Sequence, residues 1–160
     1  MDIGGGGEGV IGRLYTSQVV AIDNRQDELD GTAEGFEKIL MDATRLTFED
    51  SSFDHVTSFY TLMYMRAAEQ ENAIAEAARV LKNGGKFHIW DCGILSAYPE
   101  PFCVDVEIQL PNECISATYG VVKLDTQDEH SLTEMCLNAG LSLVNRTGDD
   151  FGFYLCFEKS

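Results

Sequence analysis

A doubly wound, mostly parallel α/β sheet with a C-terminal antiparallel hairpin is the fold this sequence predicts. Three observations lead there. A glycine turn, Gly4-Gly5-Gly6-Gly7-Glu8-Gly9, stands between a short apolar start and a helical pattern. Short apolar runs follow, most of them ending in a polar residue, with helical stretches between them. Near the C-terminus, two strand-like runs flank the turn Thr147-Gly148-Asp149-Asp150.

Each element has its own reason. Glycines suit a backbone that turns sharply and approaches a ligand, because a Cβ would obstruct both. Glu8 to Tyr15 places Val10, Ile11 and Leu14 on one helical side. Gln18-Val19-Val20-Ala21-Ile22 reads as a strand buried on both faces and ends at Asp23-Asn24. Lys38 to Met41 supplies a third strand ending at Asp42-Ala43, and Phe53 to Phe59 a fourth. Residues 69–81 form the clearest helix, with Asn83-Gly84-Gly85 expected to stop it. Lys86 to Trp90 is a fifth strand, ending at Asp91.

Residues 92–125 break the rhythm. They hold all three prolines and an alternating run, Val104 to Leu110, with Ser116 to Leu124 as its antiparallel partner. This insert reads as a hairpin hanging over the ligand edge, where strand carboxyl ends meet. A helix over 127–139 and strands over 141–146 and 153–157 complete the sheet. The glycine turn begins so early that the first strand has little length, which leaves it short or completed by another segment, including a second copy in a homodimer.

Composition sets limits. At 160 residues with 44% hydrophobic content, one globular domain over 1–160 is expected. Eleven basic against 27 acidic residues give a net charge of −16, which disfavours nucleic acid and acidic membrane surfaces and tolerates a small neutral or cationic ligand. The five cysteines include no C-x-x-C pair, so neither a metal site nor a disulfide framework is expected, and a reducing cytoplasmic setting is. Cys136 and Cys156 read as buried small hydrophobes. No apolar run is long enough to span a bilayer, and no leader pattern precedes the glycines.

Asp2-Ile3-Gly4-Gly5-Gly6-Gly7, Asp23, Asp42-Ala43, Phe53-Asp54-His55-Val56 and the turn Arg79 to Phe87 stand in an order that resembles the class I (Rossmann-like) S-adenosylmethionine (SAM)-dependent methyltransferases. The resemblance covers residues 2–91 by motif and 127–158 by architecture. It departs where Glu8 takes the usual place of a third glycine, and Asn83 that of a proline. Read beside that family, the sequence is expected to have a truncated first strand and to lack the helices before it. The resemblance implies a seven-stranded sheet, SAM as cofactor, and transfer of its methyl group to a small-molecule acceptor. Gly4, Gly5 and Gly6 would then bend around the aminoacyl end of SAM, and Asp2 would accept from its ammonium or support the turn. Asp23 would hold the ribose hydroxyls and Asn24 flank the adenine. Asp42 would accept from the adenine amine, Ala43 would donate its N–H, and Ser58 and Phe59 would lie beneath the sulfonium.

Chemistry independent of the family agrees in part. A carboxylate at the end of a second strand suits paired ribose hydroxyls. Gly4-x-Gly6-x-x-Gly9 also meets the dinucleotide fingerprint formally, so a nicotinamide oxidoreductase remains an alternative. Against it, Asp2 would repel a pyrophosphate, and a second acid at Asp42 has no use there. A non-catalytic SAM-binding or interaction domain is the other alternative. Tyr60 reads equally as a donor contact or as core packing. Met63, Tyr64 and Met65 read as packing, and His55 and His88 as sheet histidines. Asp91, Asp105 and Glu107 are candidates to orient a substrate amine or act as a base, although Asp105 and Glu107 read better as a solvated face. No catalytic residue is identifiable.

Overall fold

The computed structural model describes residues 1–96, 99–123, 125–149 and 151–160. Leu124, the expected end of the inserted hairpin, and Asp150 of the terminal turn lie outside them, as do Ala97 and Tyr98 of the insert. The chain runs β1 (Asp2–Ile3), α1 (Val10–Tyr15), β2 (Val20–Asp23), α2 (Gln26–Gly31), β3 (Glu37–Leu40), β4 (Phe53–Phe59), α3 (Ala67–Val80) and β5 (Leu81–Asp91). It continues through β6 (Phe102–Gln109), β7 (Cys114–Val121), α4 (Glu129–Asn138), β8 (Leu141–Gly148) and β9 (Phe153–Lys159).

Seven strands form one sheet in the order β3-β2-β1-β4-β5-β9-β8. The first five in that order are parallel, and β9 runs antiparallel to both β5 and β8. β1 is only two residues long, yet it pairs with β2 on one side and β4 on the other. The chain leaves β1 towards β2 and leaves β4 towards β5, so the order reverses at this point. A crevice opens at the strand carboxyl ends of such a switch point, and the glycine turn follows β1 directly into it.

Burial explains why these runs are strands. Ala21 and Ile22, neighbours in β2 that point to opposite faces, are both completely buried. On one face, Ile3, Val56, Phe87, Ile89, Leu155 and Phe157 pack with Ile74 and Ala77 of α3 and Leu132 and Cys136 of α4. On the other, Ile11, Val19 and Ala21 pack with Phe36 and Trp90. Cys156 is also buried, as its apolar setting suggested. No helix among the described residues is long and apolar enough to cross a membrane.

One boundary differs from expectation. The helix α3 ends at Val80, before Asn83-Gly84-Gly85, because Leu81 is already extended and pairs with Phe53 of β4. The glycines instead turn the chain inside the start of β5, where Gly84 has φ +76°. The inserted hairpin β6–β7 forms a separate two-stranded sheet, paired from Phe102↔Val121 to Gln109↔Cys114. Its apolar side, with Ile108, Ala117 and Tyr119, rests on Val10, Met63, Cys92 and Ile94. It therefore sits at the same end of the sheet as the glycine turn.

Candidate functional site

The glycine turn is built for close approach. Gly4 has φ +68°, and a Cβ there would lie 2.3 Å from Thr61 Cγ2. A Cβ on Gly6 would lie 2.7 Å from Glu28 Cβ and 2.8 Å from Asp23 Oδ2. Side chains are excluded at both positions by neighbours that are already in place. The turn is pinned by its amides: Gly5 N donates to Ile22 O and Gly7 N to Glu28 O, each at 3.0 Å.

Two carboxylates flank it. Asp23 Oδ1 accepts from Arg25 N at 2.9 Å, while Oδ2 faces Gly6. Asp42 Oδ1 accepts from Thr44 N and Thr44 Oγ1, both at 2.8 Å. In each case a local turn orients the carboxyl group and leaves a second oxygen for a ligand. Asn24 is exposed beside Asp23, and Ala43 is buried beside Asp42. A cleft of about 640 Å³ joins these residues, and every residue expected to hold the cofactor lines it except Ser58, while Asp91, Asp105 and Glu107 do not. That volume lies within the ~300–1,000 Å³ of small-molecule sites.

Asp2 lies under the turn, with Oδ2 at 2.7 Å from where a Gly5 Cβ would stand. Its Oδ1 accepts from Thr57 Oγ1 at 2.6 Å. Burial pushes this carboxyl up to about 7, against the opposing pull of the Thr57 hydrogen bond and the chain's amino terminus. A cation arriving above it would favour the charged form.

Two expectations are corrected. Ser58 is completely buried, and its hydroxyl has no partner. It alternates with Phe59 along β4, and only Phe59 reaches the cleft. Asp91 also lies off the cleft, fully buried. Its Oδ1 accepts from Cys92 N and Gln127 Nε2, each at 2.8 Å, and its Oδ2 from Met63 N at 3.1 Å. Gln127 in turn accepts at Oε1 from Gln70 Nε2 and from Lys123 Nζ. Asp91 thus ties Gln127, just after the insert, and Met63 to the end of β5 and is not free to orient a substrate. His55 and His88 face each other at 3.1 Å, His88 also meets Tyr154 Oη at 2.9 Å, and neither histidine lines the cleft.

Part of the outer wall was legible in the sequence, since the insert was expected over the ligand edge and Tyr60 as a donor contact or core packing. Thr61, Thr118, Tyr119 and Gly120 carried no signal. Tyr60, Thr61, Tyr64 and Met65 follow β4, and Thr118, Tyr119 and Gly120 come from β7. Tyr60 holds φ +48°, a rare conformation for a bulky residue. Its N–H donates to Trp90 O at 2.8 Å. Its ring stacks on Tyr119, with centroids 4.8 Å apart and planes 6° from parallel. Tyr119 Oη donates to Glu8 Oε2 at 3.3 Å, and Arg13 Nη1 contacts both oxygens of Glu113 at 3.2 Å. Tyr64 is half exposed rather than packed. The insert therefore covers the cleft, and Glu8, which breaks the glycine pattern, meets it at Tyr119.

Comparison with known proteins adds context to this geometry. A family model described as "Methyltransferase domain" matches residues 1–89, which carry the glycine turn and both flanking carboxylates. Over 91 residues the chain is 30% identical to the sterol 4-C-methyltransferase strm-1 of Caenorhabditis elegans, a match covering 57% of this chain and 27% of that protein. The chain thus spans little more than a quarter of that relative's length. A Pyrococcus horikoshii protein of solved structure superposes with a TM-score of 0.73 at 17% identity, over 99% of this chain and 81% of the other. A SAM-dependent methyltransferase from Methanosarcina mazei gives 0.73 at 20% identity, over 99% and 90%.

Proposed function

The chain belongs to the family of class I SAM-dependent methyltransferases, and on that premise we propose that its cleft passes a methyl group to a small-molecule acceptor. The carrying observation is a convergence: the glycine turn, Asp23 and Asp42 meet in one cleft at the switch point of the sheet. We read residues 1–160 as one domain for this purpose, with the 92–125 insert on the acceptor side.

SAM is the methyl donor; when bound, it supplies a methyl group already activated on a sulfonium. The residues present suit it, since the Gly6 position leaves space against Asp23 Oδ2 that a Cβ would fill. In this reading Gly4, Gly5 and Gly6 cradle the aminoacyl end, and Asp2 sets a negative charge beneath its ammonium. Asp23 holds the ribose, with Asn24 alongside. Asp42 and Ala43 take the adenine edge, and Phe59 closes the floor near the sulfonium. The stacked Tyr60 and Tyr119 exclude water from the opposite side. Little covalent chemistry is asked of these side chains, because alignment of donor and acceptor supplies much of the rate.

Calorimetric titration of the purified chain distinguishes this from dinucleotide binding. S-adenosylhomocysteine, the reaction's product, is expected to bind in the micromolar range and NADH at least 100-fold more weakly. Tighter binding of NADH would overturn the reading.

A further inference from the structure

The acceptor end of the cleft has a chemistry of its own. Beyond the parts assigned to SAM, its wall presents Glu8, Tyr60, Tyr64, Glu69 and Tyr119. Tyr60 and Tyr119 offer stacked aromatic surface, and Tyr64 an exposed ring. Glu8 Oε2 accepts the Tyr119 hydroxyl, and Glu8 forms no salt bridge among the described residues. Among the described residues, no His, Lys or Cys side chain lines the cleft. Burial pushes the Tyr60 phenol up to about 12 and raises Tyr119 as well, so neither supplies a phenolate near neutral pH.

From this wall we infer that the acceptor is an amine with an apolar or aromatic body, its nitrogen recognised by Glu8 and its body by Tyr60, Tyr64 and Tyr119. The inference rests on the methyltransferase reading above and names the substrate class of the same site. A carboxylate beside aromatic faces attracts an ammonium and repels an anion. Charge balance points the same way. When the lone pair of a neutral amine nitrogen bonds to the methyl carbon, the carbon–sulfur pair stays on sulfur and the positive charge passes to nitrogen. An amine held as its ammonium first gives up one proton, for which the Glu8 carboxylate is the adjacent acceptor on the way to water, and the methylated ammonium then stays beside Glu8. An alcohol is far less acidic than an ammonium and would need a stronger base to take its proton, whereas the described lining offers only carboxylates for that work. A carboxylate or phosphate acceptor would meet the negative charges of Glu8 and Glu69.

The test uses the whole chain saturated with S-adenosylhomocysteine and three probes of matched shape: phenethylamine, 2-phenylethanol and phenylacetate. Phenethylamine is expected to bind at least about ten-fold more tightly than 2-phenylethanol, and phenylacetate not measurably. Glu8→Gln should weaken the amine about ten-fold, leave 2-phenylethanol unchanged, and hold S-adenosylhomocysteine affinity within about two-fold. Equal binding of alcohol or acid, no amine binding, or indifference to Glu8→Gln overturns the inference. If S-adenosylhomocysteine itself fails to bind, the underlying methyltransferase reading fails; if it binds without an amine preference, only the acceptor class does.

Discussion

Asp23→Ala is expected to lower affinity for S-adenosylhomocysteine by about 100-fold while leaving the fold intact. The carboxylate stands at the end of β2 with Oδ1 held by Arg25 N and Oδ2 aimed at the glycine turn. Two charge-assisted hydrogen bonds to a ribose are worth about 3 kcal/mol together, which is roughly two powers of ten in affinity. Asp23 is only partly buried, so its loss leaves no core cavity. Paired calorimetry and thermal melts separate the two effects. A variant that melts normally but binds as wild type would remove Asp23 from the site.

Asp91→Ala should cost a large share of the stability contributed by this end of the sheet. Three buried donors, Met63 N, Cys92 N and Gln127 Nε2, would lose their shared acceptor. Each unsatisfied buried donor costs about 1–3 kcal/mol, partly offset by relief of a buried charge, so a net loss of about 2–4 kcal/mol is expected. Urea unfolding measures it. The same group contributes a pH dependence. Burial raises Asp91 to about 6, so the folded chain holds this proton more tightly than the unfolded one. Its contribution is complete below about pH 4 and is lost as pH rises through about 6. Asp2, raised to about 7, acts with the same sign. Asp91→Asn should therefore show a shallower fall in stability between pH 4 and 7. An unchanged slope would show that Asp91 does not titrate in this range.

The parallel strands were legible because burial on both faces leaves short, nearly unbroken apolar runs such as Val20 to Ile22, ended by an acid. The same rule made Asp23 and Asp91 look alike. They differ because Gln127, 36 residues further along, folds back onto Asp91 and closes it from solvent. No local pattern carries such a contact. The end of α3 was misplaced for a related reason. Asn83-Gly84-Gly85 has the composition of a helix stop, but pairing of Leu81 with Phe53 had already drawn the chain into the sheet. Strand-end position alone suggested both Ser58 and Phe59, although alternation allows only one of them to face the cleft. Tyr119 and Glu8 were out of reach of periodicity, since 111 residues separate them. The visible sign was Glu8 itself, an acid standing where the pattern calls for glycine.

The most direct test is the backbone amide spectrum of isotopically labelled chain titrated with S-adenosylhomocysteine. Shifts concentrated at Gly4 to Gly7, Asp23 to Asn24 and Asp42 to Ala43, saturating together, are the expected result. Saturable shifts elsewhere with these amides unmoved, or no shifts at millimolar ligand, would contradict the assignment of this cleft to SAM.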